Sequence, residues 1–248
     1  MIKFFRHIRQ NLLMENKTNR YFKYAIGEIA LVVIGILLAL QINNWNENRI
    51  LSNKLNHYYV NLEKALRPEL NYAKQFIAIV DTLALKNKRS LDLLALNNKD
   101  SLPKLKETLG ALGTSYSADF HIPVLQEFLA QDYLTKIKND SLKIYMNAFI
   151  YVYKDSKTMD DYNDEQYRVT IEPYFNKHIN YALVAEERHR QGLVLGGPSI
   201  DYNSFANNLE LWNIITFKLE TLNSQLRVLK QYTKILEGLQ RQLKKELE

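Results

Sequence analysis

The chain has 248 residues, no cysteine, only 8 glycines and 5 prolines, and a formal charge of +6 from 33 basic and 27 acidic residues. Without cysteine, disulfides, thiol catalysis and cysteine-ligated metals are excluded. Scarce glycine and proline disfavour a turn-rich β-sandwich or barrel and favour long helices. The excess charge is no nucleic-acid footprint, because residues 1–45 hold six basic and two acidic residues and the remainder is left at +2 with no dense basic stripe.

At the N-terminus, Ile2, Phe4, Phe5, Ile8, Leu12 and Leu13 fall near helical spacing with Lys3, Arg6, Arg9 and Gln10 between them. The pattern suits a basic amphipathic helix in a membrane interface, and equally a charged tail. The run Tyr24–Ile42 follows, about 19 residues whose only ionisable member is Glu28. As a helix it would extend roughly 28 Å, close to the ~30 Å hydrocarbon core of a bilayer. We expect a transmembrane helix over residues 24–43.

A cleaved signal peptide would have a shorter apolar run ending at a small-x-small site, whereas Ala39-Leu40-Gln41 places Gln where a small residue belongs. A buried core helix would not be apolar on every face, as Ile29–Leu40 is. Lys3, Arg6, Arg9, Lys17, Arg20 and Lys23 precede the run against the single acid Glu15, and no basic residue follows it until Arg49. Basic residues resist translocation, so residues 1–23 are expected in the cytoplasm and 44–248 on the far side. Arg49 and Lys54 weaken the asymmetry, which leaves the reversed orientation as the alternative. Lys23, Tyr24 and Trp45 are the candidate interface anchors.

Inside the run, Gly27, Gly35 and Ala39 share roughly one helical face, and Gly35-xxx-Ala39 is a small-xxx-small pair of the kind that lets spanning helices approach closely. Glu28 lies about one turn inside the inner boundary. There it either snorkels beside Lys23 or Arg20 or pairs with a basic group on another membrane protein.

Beyond the run, Leu51 to Leu94 step by threes and fours, predicting one amphipathic helix or two joined by a bend near Pro68. Loops are expected at Asn97–Pro103 and Gly110–Ser117, and helices over Lys104–Leu109 and Pro123–Asp132. A further helix is expected from Ser141 to about Ile171, stopped by Pro173, and another over Tyr174–Arg190. The glycine-rich Gly192–Ser199 then reads as a turn. The last helix has a near-heptad seam of Phe205, Leu209, Trp212, Ile215, Leu219, Leu222, Leu226, Leu229, Leu236, Leu239 and Leu243. The expected fold is all-α: one transmembrane helix, then an antiparallel bundle in which the first and last long helices pack together.

No motif carries convincing chemistry. Gly192-x-x-x-x-Gly197-Pro198-Ser199 has phosphate-loop glycine spacing, but Pro198 stands where lysine is needed. Asp161, Asn163, Glu165, Tyr167, Val169 and Glu172 match calcium-loop offsets, but Gln166 occupies the obligatory glycine position. Glu186-x-x-His189 is a di-iron unit that occurs once where two are required. No cofactor, catalytic residue or metal ligand is assigned. The expected partners are the lipid bilayer and a protein, which could be a second copy. A ligand-sensing bundle and a helical hydrolase or metal enzyme are the competing readings.

Met1-Ile-Lys-Phe-Phe-Arg6, Tyr24-Ala-Ile-Gly-Glu-Ile29 and Gln41-Ile-Asn-Asn-Trp-Asn-Glu47 resemble the opening of a family of small membrane proteins of the Bacteroidetes group, which carries a domain-of-unknown-function label. The resemblance covers about the first fifty residues. It implies an inner-membrane protein with a periplasmic domain, and it supplies no activity and no site residues.

Overall fold

The computed structural model describes residues 18–248, with the side chains of 18–21 and 24 outside the description. The 2–13 stretch and the Tyr24 ring therefore lie beyond it. Among the described residues every regular element is helical and none is a strand. The α-helices are α1 (Thr18–Leu96), α2 (Leu109–Leu112), α3 (Pro123–Ala130), α4 (Asp140–Gln166), α5 (Glu172–His178), α6 (Tyr181–Val184), α7 (Glu187–Arg190) and α8 (Leu209–Leu247). The chain divides into two compact units, residues 1–57 and 58–248, and α1 contributes to both.

In the first unit, α1 is long and apolar enough to cross a membrane. Ile26, Ile29, Leu31–Ile34, Ile36–Leu38, Leu40 and Ile42 are all exposed, so this surface serves no protein core here. Past it the helix turns polar: Asn43 Nδ2 donates to Glu47 Oε1 (2.8 Å), and the Arg49 guanidinium lies 5.7 Å from the Trp45 ring.

In the second unit α1 buries a stripe of Tyr59, Leu62, Leu66, Ala73, Phe76, Val80 and Leu83. Pro68 does not divide it, because the helix runs through. Pro68 is exposed, so the carbonyl left without its usual donor can be met by water. The 97–103 loop is held by Asn98, whose Oδ1 accepts from the backbone N–H of Asp100 (3.0 Å) and Ser101 (2.8 Å).

A 3₁₀ turn at Leu102–Glu107 and α2 then replace the single helix expected at 104–109. Gly110 belongs to α2 rather than to a loop. A Cβ there would strike the Val184 carbonyl oxygen, so glycine is what lets α6 approach. Residues 113–122 have no regular structure. α3 starts with Pro123 in its first turn, as its spacing predicts.

α4 is capped by Asn139 Oδ1, which accepts from Leu142 N (3.1 Å). Pro173 does not stop the chain's helical course. A π turn at Tyr167–Ile171 intervenes, and Pro173 falls in the first turn of α5. The single helix expected over 174–190 is instead α5, α6 and α7, broken where Ile179 extends to bury its side chain and Asn180 Nδ2 bonds the Gly196 and Pro198 carbonyls (both 2.9 Å).

α8 is capped by Asn208 Oδ1 accepting from Leu211 N (2.9 Å). Along α4 its partners are Asn139 with Glu246, Tyr145 with Gly238, Asp160 with Gln225 and Asn163 with Lys218. A Cβ at Gly238 would run into the Tyr145 ring, so the bare backbone sets the closeness of that pair. Along α1 its partners are Glu63 with Gln240 and Lys244, and Lys74 with Glu237. Between these helices Phe120 stacks on Tyr232 with ring centres 4.3 Å apart, and Phe149 lies 5.7 Å from the same tyrosine.

The α8 seam departs from its expected register at the start of the helix. Leu211, Ile214, Ile215, Lys218, Thr221, Leu222 and Gln225 are buried, while Leu209 and Trp212 are 70% and 38% exposed. At this end Leu211, Ile214 and Ile215 face the core with Leu93, Leu102, Leu105 and Phe175, which leaves the seam residues Leu209 and Trp212 outside.

Candidate functional site

Further along α8, polar residues also face inward. Lys218 is fully buried, and its Nζ donates to Asn163 Oδ1 (2.6 Å). Asn163 Nδ2 in turn donates to Ser115 Oγ (3.0 Å) and the Tyr116 carbonyl (3.2 Å). Asp160 Oδ2 accepts from Ala118 N (2.9 Å) and Asp119 N (3.4 Å), and its Oδ1 from Gln225 Nε2 (3.3 Å). α4 and α8 thus hold a non-helical strip by satisfying its backbone groups, which buried segments require. Burial pushes the Asp160 carboxyl above its usual range and the Lys218 amine down to about 8, the latter opposed by Asp164. Such an amine could act as a base, but it is sealed from solvent and its bond to Asn163 is a fastening.

A second polar cluster surrounds His189, whose Nε2 pairs with the Tyr116 hydroxyl and whose Nδ1 lies 3.4 Å from that of Tyr181. Arg188 lies 4.3 Å from the centre of the Tyr116 ring, and Glu186 bonds Lys86. Glu186 and His189 are therefore turned to different partners and do not face one ion. Asp161, Asn163 and Glu165 lie on α4, Tyr167 and Val169 in the π turn and Glu172 on α5, so they form no calcium loop. Among the described residues no group of three or more His, Asp or Glu could hold a metal ion. The Gly192–Ser199 loop is tied down by Asn180 and has no strand before it.

In the first unit, Gly27, Glu28, Gly35 and Ala39 lie along α1, and a Cβ at Gly27 or Gly35 would meet nothing within 4 Å. That face is open to another helix. Lys23 and Trp45 are exposed near the two ends of the apolar run.

An uncovered groove runs along α1 and α8 in the 58–248 unit. One stretch, about 420 Å³, is bounded by Leu94, Ala95, Phe205, Leu209 and Trp212 together with Asn97, Asn207 and Asn208. The next, about 570 Å³, shares Ala95 and Trp212 and continues past Leu85, Leu91 and Leu219. Asp81, Lys88 and Asp92 border the second stretch. A groove between two helices with an exposed tryptophan and a charged rim has the composition of a surface that binds another helix. The seam residues Leu209, Trp212 and Leu219 were legible as apolar positions, but their exposure was not.

A separate cleft of about 430 Å³ lies where the π turn and α5 meet the start of α8. No family model matches the chain, no curated protein matches it, and no solved structure matches it.

Proposed function

We propose that the chain is a single-span inner-membrane protein acting as a non-enzymatic interaction or scaffold module. Residues 1–23 stay in the cytoplasm, 24–43 cross the bilayer and 44–248 form a periplasmic antiparallel helical bundle. The exposed apolar run of α1 and the basic residues concentrated before it support the anchor and its direction. The resemblance of the first fifty residues agrees with that placement. The pairings of α8 with α4 and α1, in which residue numbers rise on one helix as they fall on the other, support the bundle.

The observation that carries the docking role is the groove holding Trp212: apolar seam residues lie where a helix of a partner protein or a second copy would cover them. Crosslinking in native membranes is expected to recover such a protein, and Trp212→Glu with Leu85→Glu should reduce its yield at least severalfold, since tryptophan anchors dominate such interfaces. Recovery of no protein, not even a second copy, or of an unchanged set from the double variant, would refute the docking role. A second reading, a ligand-sensing bundle signalling through a membrane partner, is favoured by the cleft beside the π turn.

A further inference from the structure

The cleft between the π turn, α5 and α8 combines three features that ordinary helix packing does not require. The first is the π turn itself. An extra residue in a helical turn weakens hydrogen-bond geometry, and such turns occur frequently at functional sites because they push side chains out of register. Here Val169 and Thr170, both exposed, are carried to the cleft wall. Opposite them Ile214 and Phe217 of α8 add apolar wall, with Phe217 largely exposed, and His178 and Asn213 add polar groups.

The second is the charge. Lys177 on α5 and Glu210 on α8 line the same cleft, and among the described residues neither has an ion-pair partner. Each complements its own helix end, Lys177 in a last turn and Glu210 in a first turn. That accounts for their signs, but not for their sharing one cleft with Val169, Ile214 and Phe217.

The third is Tyr174, which lines the cleft though only 3% exposed. Its hydroxyl accepts from Asn208 Nδ2 (3.3 Å), so its proton remains available for donation. Burial and the neighbouring Glu210 push this phenol up to about 12, so it keeps its proton at physiological pH.

We infer that this cleft binds a small zwitterion bearing an apolar side chain, an amino acid or dipeptide, with its carboxylate toward Lys177, its ammonium toward Glu210 and its side chain on Val169, Ile214 and Phe217. The volume falls within the range of small-molecule sites, and the mouth opens to solvent. This site is separate from the Trp212 groove and does not depend on it.

The test is equilibrium binding of labelled L-leucine and leucyl-leucine to the full chain in lipid discs. At least one should bind saturably, one per chain, and Lys177→Ala and Glu210→Gln should each weaken it about tenfold, the loss of one charge-assisted hydrogen bond. 4-Methylpentanoate, which lacks the ammonium, should bind more weakly and should not respond to Glu210→Gln. Both substitutions are at exposed positions, and Trp212→Glu should leave binding intact, which separates this site from the groove. No saturable binding of either compound, or binding indifferent to both substitutions, would overturn the assignment.

Discussion

Replacing Phe120 with alanine is expected to destabilise the 58–248 unit by about 3–5 kcal/mol, the range for emptying a fully buried aromatic site. Phe120 stacks on Tyr232, itself fully buried, and meets the edge of Tyr72 at 5.8 Å. It is carried by the irregular 113–122 segment, whose backbone is pinned on both sides: Asp160 holds Ala118 and Asp119, and Tyr153 donates to the Phe120 carbonyl (3.0 Å). A pinned segment cannot collapse into the vacated space, which places the cost toward the upper end. Denaturant unfolding followed by helical circular dichroism measures it. A loss below about 1 kcal/mol would mean that this segment is not part of the core.

The second large effect is a dependence of stability on pH between about 8 and 10, arising from Lys218. Its folded pKa is pushed down to about 8, whereas an unfolded lysine titrates near 10.4. Between those values the unfolded chain binds more protons than the folded one, so stability rises with pH and gains up to about 3 kcal/mol across the window. Below about 8 both states are protonated and the cost of the buried charge is constant. Above about 10 the trend reverses. Buried Tyr59 and Tyr174 are raised to about 12 and Tyr232 is raised further, so unfolded tyrosines ionise first and stability is lost. In Lys218→Met the rise should vanish while the loss above 10 remains. Parallel pH profiles for the two proteins would show that Lys218 does not titrate in this window.

These residues also mark where the sequence stopped being informative. The apolar run of α1 and the first-turn position of Pro123 follow from local chemistry, and the structure has them. The buried stripe of α8 required more. Lys218, Thr221 and Gln225 lie beside a seam that steps unbroken through Ile215, Leu219, Leu222 and Leu226, so nothing local announces their burial; the partners of Lys218 and Gln225 lie on α4 and in a strip about a hundred residues earlier. Pro173 signalled a helix stop by its missing N–H, yet a π turn reconciles it with continued helix, and no residue type announces such a turn. Gly110 looked like a loop residue because the reason for its small size, the Val184 carbonyl, belongs to a distant helix.

The candidate cleft was illegible for the same reason. Lys177 and Glu210 are unremarkable surface charges until the fold sets α5 against the start of α8. The Trp212 groove was half legible: the seam named its α8 residues, and only the core beneath Leu211, Ile214 and Ile215 explains why Leu209 and Trp212 remain outside.

The most direct test of the central claim is a C-terminal fusion to a reporter enzyme that matures only after export, compared with one that works only in the cytosol. With α1 crossing the bilayer once and the basic segment held inside, the exported reporter is active and the cytosolic one silent. Activity of the cytosolic reporter alone would contradict the account.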